Sequence, residues 1–382
     1  MLRFATEGRR QAPQTEEFMI GIHDSPGSFS DRWIEWCLEN RVPFKRLNCL
    51  SSDAISQCAG LDAVLWHWTL MSLSELQVAR QIGASLETAG VIVFPNTATC
   101  WHYDDKVGQK YLLEAIGAPL IPTWVMTDES EARKWIQTAR WPKVFKLRGG
   151  AGSENVRLVR SRHEAAKLCR RAFGRGFPAS PGYLYDAPAR ARHIGNWPDF
   201  WDKMKRAPRS LLETLRRRHR APRQRGYVLF QEFMPGNDFD TRVTVIGNRA
   251  FGAMRRNRPN DFRASGSGDC IFDPNQVDRR CVPIALHLAG QLRTQSLACD
   301  FLFDTGREPR ICEISYCSVA SPVYDCPGYW DREFAWHAGH FWPQDLILED
   351  ILAQIGGAWT PVANAKSLGE PCHRTARPTL VP

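Results

Sequence analysis

The chain has 382 residues, of which 43% are hydrophobic and 24% are charged, a mix typical of globular proteins and unlike that of disordered ones. This length is too great for one small core and predicts two or three packed subdomains. Residues 1–17 lack an apolar run long enough for a signal peptide or a membrane span, so we expect a disordered tail on a cytoplasmic protein. The twelve cysteines include no C-x-x-C pair, which favours reduced thiols over a disulfide scaffold.

The formal net charge of +9 is unevenly distributed. Residues 157–225 hold 19 Lys and Arg against 5 Asp and Glu, a net +14, which leaves 31 against 36, or −5, for the remainder. Such a stretch predicts an acidic partner, for example an acidic peptide or a glycan. Nucleic acid is the less favoured partner, because few aromatic residues lie between the arginines.

The first hundred residues alternate predicted strands with predicted helices. Short apolar runs predict strands at residues 18–22, 42–47, 63–67 and 91–95. One helix is expected from a Ser30 cap through Glu39, and a second over residues 72–89. Because strands that alternate with helices form parallel sheets, we expect a leading parallel α/β domain.

A helix over residues 106–116, ended by Gly117, leads into an extended connector that contains Pro119 and Pro122. Beyond it, the pattern predicts a helix at 129–138, a strand at 143–147, a glycine-rich turn at 149–153, and a strand at 156–160 followed by a helix from residue 162. A strand, a glycine loop and a second strand in this order are typical of a lid over phosphates.

Six prolines and a run of arginines interrupt this rhythm over residues 174–225, which we interpret as a basic insertion. Strands are then expected at 227–230, 241–246 and 250–255, the last two joined by a Gly247-Asn248 hairpin turn. A helix at 282–297 and strands at 298–303 and 310–315 follow. The resulting division is a tail at 1–17, an N-terminal α/β domain at 18–122, a subdomain at 123–233 with the insertion, a subdomain at 234–356 and a loose tail at 357–382.

Acidic residues near the end of the chain form a candidate metal site. Asp300 and Glu313 lie on neighbouring predicted strands, and Ser315 shares a face with Glu313 because side chains alternate along a strand. Oxygen ligands of this kind suit Mg²⁺ bound between ATP phosphates. The alternative is that Glu313 is a surface strand residue and Asp300 a turn acid.

Two lysines and the glycine loop are candidate phosphate ligands. Lys146 lies on an otherwise apolar strand, where a buried ammonium is costly without an anion. Lys106 opens a helix whose amide groups also favour an anion, although a lysine there is often merely solvated. Gly149, Gly150 and Gly152, with Ser153, allow backbone amides to close on phosphates, but such loops have many false positives.

The segment Gln231-Glu232-Phe233-Met234-Pro235-Gly236 follows a predicted strand and then turns. Its backbone can pair with an adenine edge, and Asp238 or Asp240 can accept hydrogen bonds from ribose hydroxyls. Guanidinium groups bind phosphate or carboxylate through two parallel hydrogen bonds, which makes the arginines on or after the next strands candidates for catalysis: Arg242, Arg255 and Arg263. Arginines on strand faces are, however, more often solvated than catalytic.

The order of these motifs resembles that of the ATP-grasp superfamily, nearest to the branch of the ribosomal-protein glutamate ligase and glutathione synthetase. The motifs are Asp105-Lys106, residues 142–146 with the glycine loop, Gln231-Glu232-Phe233 with residues 240–242, Asp261-Phe262-Arg263, and Asp300 with residues 312–315. The resemblance covers roughly residues 90–320, and residues 20–90 fit the family's leading domain. It implies an α+β ATP-grasp fold in which a parallel α/β domain precedes two α+β subdomains that enclose ATP.

The resemblance also implies residue roles. Lys106 and Lys146 would bind the nucleotide phosphates, Glu232 and Phe233 adenine, and Asp240 ribose, with Asp238 as its rival. Arg263 would bind phosphate, and Asp300 and Glu313 would bind metal. The family usually has Asn where this chain has Ser315 and Ser265, which puts the second metal site in doubt and indicates a divergent branch.

The function implied is that of an ATP-dependent, ADP-forming ligase. It would use ATP with one or two Mg²⁺ ions, for which Mn²⁺ could substitute, and join a carboxylate to an amine or thiol through an acyl phosphate. Alternatives are an ATP-grasp kinase, a nucleotide-binding regulator, or a nucleic-acid-associated protein that uses the basic insertion. A metal site at Cys312, Cys317 and Cys326 is disfavoured by its spacing. The aromatic block at 324–342 either lines an acceptor pocket or is a helix packed on the sheet, and the sequence leaves the oligomeric state open.

Overall fold

The computed structural model describes residues 18–70, 72–150, 155–178, 223–259, 261–316 and 319–356. Within these ranges the chain forms three large sheets, which follow one another along the sequence, and one small two-stranded sheet.

The first sheet is parallel, as predicted, with strand order β2-β1-β3-β4. Its elements are β1 (Ile20–His23), α1 (Phe29–Asn40), β2 (Phe44–Leu47), α2 (Ala54–Gln57), β3 (Ala63–Leu65), α3 (Leu73–Thr88), β4 (Ile92–Phe94) and α4 (Thr97–Cys100). The prediction that Ser30 caps α1 is wrong. Ser28 is the cap and its hydroxyl accepts the N–H of Ser30 at 3.2 Å, because Ser30 is already helical and buried.

The second sheet is antiparallel, with strand order β5-β10-β6-β7. It follows α5 (Lys106–Ala115) and contains β5 (Thr123–Met126), α6 (Glu129–Thr138), β6 (Lys143–Lys146), β7 (Val156–Val159), α7 (Arg162–Phe173) and β10 (Val228–Glu232). The predicted hairpin of two strands around the glycine loop is confirmed as β6 and β7. Of the predicted insertion, the described ends pair as the short strands β8 (Phe177–Pro178) and β9 (Arg223–Gln224), and the rest lies outside the described residues.

The third sheet is the largest of the described sheets, with order β15-β14-β11-β12-β16-β17 and β13 paired to β12. Its elements are β11 (Phe239–Ile246), β12 (Arg249–Arg256), β13 (Cys270–Ile271), α8 (Cys281–Leu292), β14 (Ser296–Phe303), β15 (Pro309–Ser315), α9 (Ala320–Tyr324), β16 (Gly328–Trp330), β17 (Trp336–Ala338) and α10 (Pro343–Gln354).

Two predictions in this region are wrong. The helix expected through residue 297 ends at Leu292, because Arg293 adopts a left-handed conformation with φ 55° and the chain turns into β14. The helix considered for the aromatic block is instead the β16–β17 hairpin, in which Trp330 and Trp336 pack with ring centroids 4.7 Å apart. Helix α10 begins only after this hairpin.

Two helices connect the sheets. Helix α10 packs its apolar side against α1 and the first sheet, and the indole N–H of Trp33 donates to the Gln344 carbonyl at 2.9 Å. Helix α5 packs Leu113 into the core beneath the third sheet. Each of these helices therefore packs on a sheet that the predicted division assigns to a different domain. The predicted domain boundaries stay predictions.

Two further findings concern the described ranges only. None of their helices is long and apolar enough to cross a membrane. Their ten cysteines are all free.

Candidate functional site

A cavity of about 360 Å³ lies between the second and third sheets. Among its lining residues are these predicted site residues: Lys106, Lys146, Gly150, Glu232, Phe233, Asp240, Arg242, Arg263, Asp300, Glu313 and Ser315. Asp238 and Arg255 do not line it, and Gly152 and Ser153 lie outside the described residues. The fold therefore brings most of the predicted site to one place.

Lys146 enters the cavity from the second sheet. Side chains alternate along β6, so Val144 and Lys146 face the cavity while Phe145 packs into the core beneath α6 and α7. Lys146 is only 5% exposed, and its Nζ donates to the Cys312 thiol at 3.5 Å. No carboxylate of the described residues lies within 4.0 Å of this ammonium, so the site favours an anionic ligand.

Lys106 is the first residue of α5, where Asp105 caps the helix by accepting the Gly108 N–H at 2.9 Å. Its Nζ donates to the Gly150 carbonyl at 2.8 Å and pairs with Glu313 at 2.9 Å. Burial acts to lower the pKa of Lys106, but the carboxylates of Glu313 and Asp104 outweigh it and raise the pKa. Lys106 thus links the glycine loop to the third sheet as a charged group.

The described part of the glycine loop requires its glycines. Gly150 has φ 116°, and a Cβ there would lie 2.5 Å from Asn155 Nδ2. A Cβ at Gly149 would lie 2.8 Å from Asp104 Oδ2. The N–H of Gly150 donates to Asp104 Oδ1 at 2.5 Å, and burial raises the pKa of this carboxyl group. Asp104 therefore anchors the loop, a role that the sequence analysis did not identify.

A row of charged side chains crosses the third sheet beside the cavity, and the acids Asp300 and Glu313 are neighbours in it. Strand register places Arg255 opposite Asp240, Arg242 opposite Asp300, and Asp300 opposite Glu313. Arg242 holds Asp300 through two hydrogen bonds of 2.7 and 2.8 Å. Burial acts to raise the pKa of Asp300, but Arg242 and Arg255 outweigh it and hold the pKa below its usual range. Asp300 is therefore an anion within the row.

The predicted adenine end lies where β10 leaves the second sheet. Phe233 and Phe262 meet edge to face, with ring centroids 5.9 Å apart, and Met234 and Leu302 add apolar lining. The carboxylate of Glu232 pairs with Lys143 at 2.9 Å. This end of the cavity is consequently apolar, with one ion pair at its edge.

Arg263 closes another side of the cavity. Its guanidinium forms a fork with Asp261, including a 2.6 Å contact, and its Nη1 donates to the Val156 carbonyl at 3.3 Å. The loop after β12 is thereby connected to β7 of the second sheet.

The sequence motifs include Gln231 and Cys312 but predicted no contact between them, and Thr69, Leu70 and Tyr103 were missed as lining residues. Cys312 and Gln231 contact each other across the two sheets, where the Gln231 amide donates to the Cys312 carbonyl at 3.2 Å. Thr69 and Leu70 come from the loop after β3 of the first sheet, and Tyr103 lies just before α5. Thr69 and Leu70 follow the carboxyl end of β3, the edge at which open parallel sheets bind ligands, and this signal could have indicated them.

The donor atoms fit Mg²⁺ that is shared with phosphate. No group of three or more His, Cys, Asp or Glu side chains in the described residues could hold a metal alone. Asp300 and Glu313 are adjacent across two strands, and Mg²⁺ commonly takes one or two carboxylates with substrate phosphates and water as its other ligands. Among the disfavoured cysteine ligands, Cys326 is buried with its thiol against the Gly252 carbonyl, and Cys317 lies outside the described residues.

Part of the chain that forms the cavity matches a known protein family. A family model described as the RimK-like ATP-grasp domain matches residues 205–322, less than a third of the chain. The matched range contains Asp240, Arg242, Asp300 and Glu313, but it contains neither Lys106 nor Lys146. A curated relative, the uncharacterized protein MG012 homolog of Mycoplasma pneumoniae, is 25% identical over 89 residues, which are 23% of this chain and 31% of that protein. The chain thus matches about a third of that relative's length.

Solved structures share the fold over most of the chain. D-alanyl-alanine synthetase A from Vibrio cholerae aligns with a TM-score of 0.55 and 11% identity, covering 90% of this chain and 100% of that one. The ATP-grasp ligase PsnB, complexed with a minimal precursor, Mg and ADP, aligns with a TM-score of 0.51 and 13% identity, covering 89% and 98%. The predicted resemblance is confirmed: the chain has the ATP-grasp fold, and its residues 205–322 match the RimK-like ATP-grasp domain.

Proposed function

We propose that this protein is an ATP-dependent ligase that activates a carboxylate as an acyl phosphate and transfers the acyl group to an amine or a thiol. The observation that carries the proposal is the opposition of charges in the cavity. Lys106 and Lys146 enter it from α5 and the second sheet, Asp300 and Glu313 enter it from the third sheet, and Lys106 meets Glu313 at 2.9 Å. Such an arrangement suits a polyphosphate together with a divalent metal ion.

The nucleotide would lie between the two sheets. Lys106, Lys146 and the glycine loop would hold its phosphates, and Glu232 and Phe233 would border adenine. Asp300 and Glu313, with Ser315 as a weaker ligand, would hold one or two Mg²⁺ ions. When bound, Mg²⁺ neutralises phosphate oxygens. The protein's own contribution is to fix these groups in a buried site, where electrostatic interactions are stronger than in water.

The reaction needs no side-chain nucleophile. A carboxylate oxygen of the substrate attacks the terminal phosphorus of ATP, and the bond to ADP breaks. The amine or thiol then attacks the carbonyl carbon, the phosphate leaves, and the nucleophile loses its proton. Arg242 and Arg263 line the cavity and would stabilise the negative charge that develops, whereas Arg255 contacts Asp300 but does not line the cavity.

A cluster of arginines, defined by Arg157, Arg171, Arg175 and Arg223, supports an acidic substrate such as a peptide or a glycan. Arg171 and Arg223 both donate to the Gly176 carbonyl, at 3.3 and 3.1 Å. Burial and repulsion from the other three arginines lower the pKa of Arg171, so an anion would relieve the crowded positive charge.

Trapping the activated substrate tests the proposal. The protein is incubated with Mg-ATP, hydroxylamine and a panel of amino acids, dicarboxylates and acidic peptides, and both ADP and hydroxamates are measured. A ligase forms hydroxamate in proportion to ADP, because hydroxylamine captures an acyl phosphate. A stable phosphorylated product without hydroxamate would indicate a kinase, and ATP binding without ADP formation would indicate a regulator.

A further inference from the structure

The turn at residues 234–237, which leaves the second sheet at the apolar end of the cavity, is tied to the third sheet by the side chain of Asn237. Its Nδ2 donates to the Phe303 carbonyl at 2.9 Å, and its Oδ1 accepts the Phe303 N–H at 2.8 Å. Nδ2 also donates to the Met234 carbonyl at 3.3 Å. One amide group thus closes the turn and holds it against the end of β14.

Strand register explains why an amide is suited to this place. The ladder between β11 and β14 runs from the Ile246–Ser296 pair to the Thr241–Phe301 pair and ends there. Phe303 lies beyond that end and is buried, with 2% exposure, so its backbone N–H and carbonyl need partners within the protein. The Asn237 amide supplies both bonds, as an opposing residue does in an antiparallel ladder.

The same tie includes the end of a third strand. Asn257 directly follows β12, and its Nδ2 donates to the Asn237 carbonyl at 2.7 Å. Met234, Asn237 and Asn257 line the cavity together with Leu302, the neighbour of Phe303. The walls of the apolar end therefore come from two sheets, and Asn237 joins these sheets at that end.

We propose that Asn237 is a positioning residue for the nucleoside half of ATP. The inference rests on the proposed function, which assigns adenine to this end of the cavity and the phosphates to Lys106, Lys146 and the metal. Asn237 fixes the spacing between the turn and Leu302 before the nucleotide binds. A base then enters a slot of set width, and the turn loses little further freedom on binding. This benefit is confined to the nucleoside, because other elements hold the phosphates.

Asn237→Asp separates the two halves of the ligand. The substitution keeps an acceptor for the Phe303 N–H, but it removes the amide donor and brings a carboxylate oxygen against the Phe303 and Met234 carbonyl oxygens. We expect the Kd for Mg-ATP, measured by calorimetry, to rise about tenfold, and the Kd for Mg-tripolyphosphate to stay within about twofold of the wild-type value. Asn237→Ala, which removes the tie without adding charge, should change the ratio of the two Kd values in the same direction.

Two further variants make the comparison specific. Lys146→Met removes a phosphate ligand and should weaken the binding of ATP and of tripolyphosphate alike. Gln295→Glu is the matched structural control, because Gln295 Oε1 accepts the Asn96 N–H at 2.8 Å and Nε2 donates to the Val93 carbonyl at 3.0 Å. This amide ties the first sheet to the third and does not line the cavity. Gln295→Glu should lower the melting temperature, as Asn237→Asp does, and leave both Kd values unchanged.

A wild-type ratio of the two Kd values in both Asn237 variants, or a changed ratio in Gln295→Glu, would overturn the inference and leave the proposed function intact. So would a wild-type protein that binds Mg-ATP but not Mg-tripolyphosphate, because the phosphate end would then not bind its ligand independently. Failure of the wild-type protein to bind Mg-ATP would overturn both the inference and the proposed function.

Discussion

Lys146→Met should change ATP binding and protein stability in opposite directions. Lys146 is 5% exposed and its ammonium contacts only a thiol in the described structure, so the ligand-free protein bears the cost of a buried charge without a counterion. Methionine has a similar length and is apolar. Replacement of Lys146 by methionine should therefore stabilise the ligand-free protein and weaken ATP binding.

The magnitudes follow from the burial of the ammonium. Two unit charges about 4 Å apart interact by about 4 kcal/mol at an effective dielectric constant of about 20. Allowing for residual solvent, loss of the phosphate contact should cost about 2 to 4 kcal/mol of binding, or about 30- to 1,000-fold in Kd. Removal of the buried charge should stabilise the ligand-free protein by about 1 to 2 kcal/mol, and raise its Tm by about 1 to 3 °C.

Lys143→Met provides the control on the same strand. Lys143 is equally buried, but it pairs with Glu232 at 2.9 Å and lies over the Trp124 ring. Its substitution should lower Tm and leave ATP affinity within about threefold, since Glu232 loses a pair worth about 1 kcal/mol. Differential scanning fluorimetry and calorimetry measure both quantities. A Lys146→Met protein that binds ATP like the wild type, or that melts at a lower temperature without ligand, would refute the reasoning.

Three other predictions concern the loop, the core and the arginine cluster. Gly150→Ala should lower the free energy of unfolding by about 1 to 3 kcal/mol, measured by denaturant titration, and weaken ATP binding, because its φ of 116° and its contact with Asn155 exclude a Cβ. His102 is fully buried, and burial, with Arg80 adding to it, lowers its pKa from 6.5 to about 4. Between pH 6.5 and pH 4 the unfolded chain then binds a proton at His102 that the folded protein does not bind. The free energy of unfolding should therefore fall by about 3 kcal/mol over this pH range. His102→Phe should remove this part of the pH dependence. The double variant Arg171→Glu/Arg223→Glu should abolish the salt-sensitive binding of poly-glutamate, measured by fluorescence anisotropy, and leave ATP affinity unchanged. Retained binding of poly-glutamate would contradict an acidic-partner role for the arginine cluster.

Much of the fold could be predicted because local signals agreed with it. The alternation of strands and helices before residue 100 predicted the parallel first sheet, and the lysine on an apolar strand before a glycine loop predicted a cavity-facing ammonium. Strand β5 was missed because Pro119 and Pro122 indicated only an extended connector. The helix considered as one alternative for the aromatic block is a hairpin instead, because tryptophan and phenylalanine pack equally well from a short hairpin and from a helix.

The contacts within the site could not be predicted from the sequence. The pairing of Asp240 with Arg255, and of Arg242 with Asp300, depends on the register of three strands that are far apart in sequence. Lys143 and Lys146 are alike in sequence context, yet one pairs with Glu232 and the other does not pair with an acid among the described residues. Such differences arise from tertiary packing, which local periodicity does not encode.

The most direct test of the central claim is calorimetric titration of ATP, with and without Mg²⁺, into the wild-type protein and into Glu313→Ala. Glu313 lies in the cavity beside Lys106 and opposite Asp300. The proposed site predicts Mg²⁺-dependent ATP binding by the wild type and its loss in the variant, with the fold retained by circular dichroism. Equal binding by both proteins, or no binding by the wild type, would contradict it.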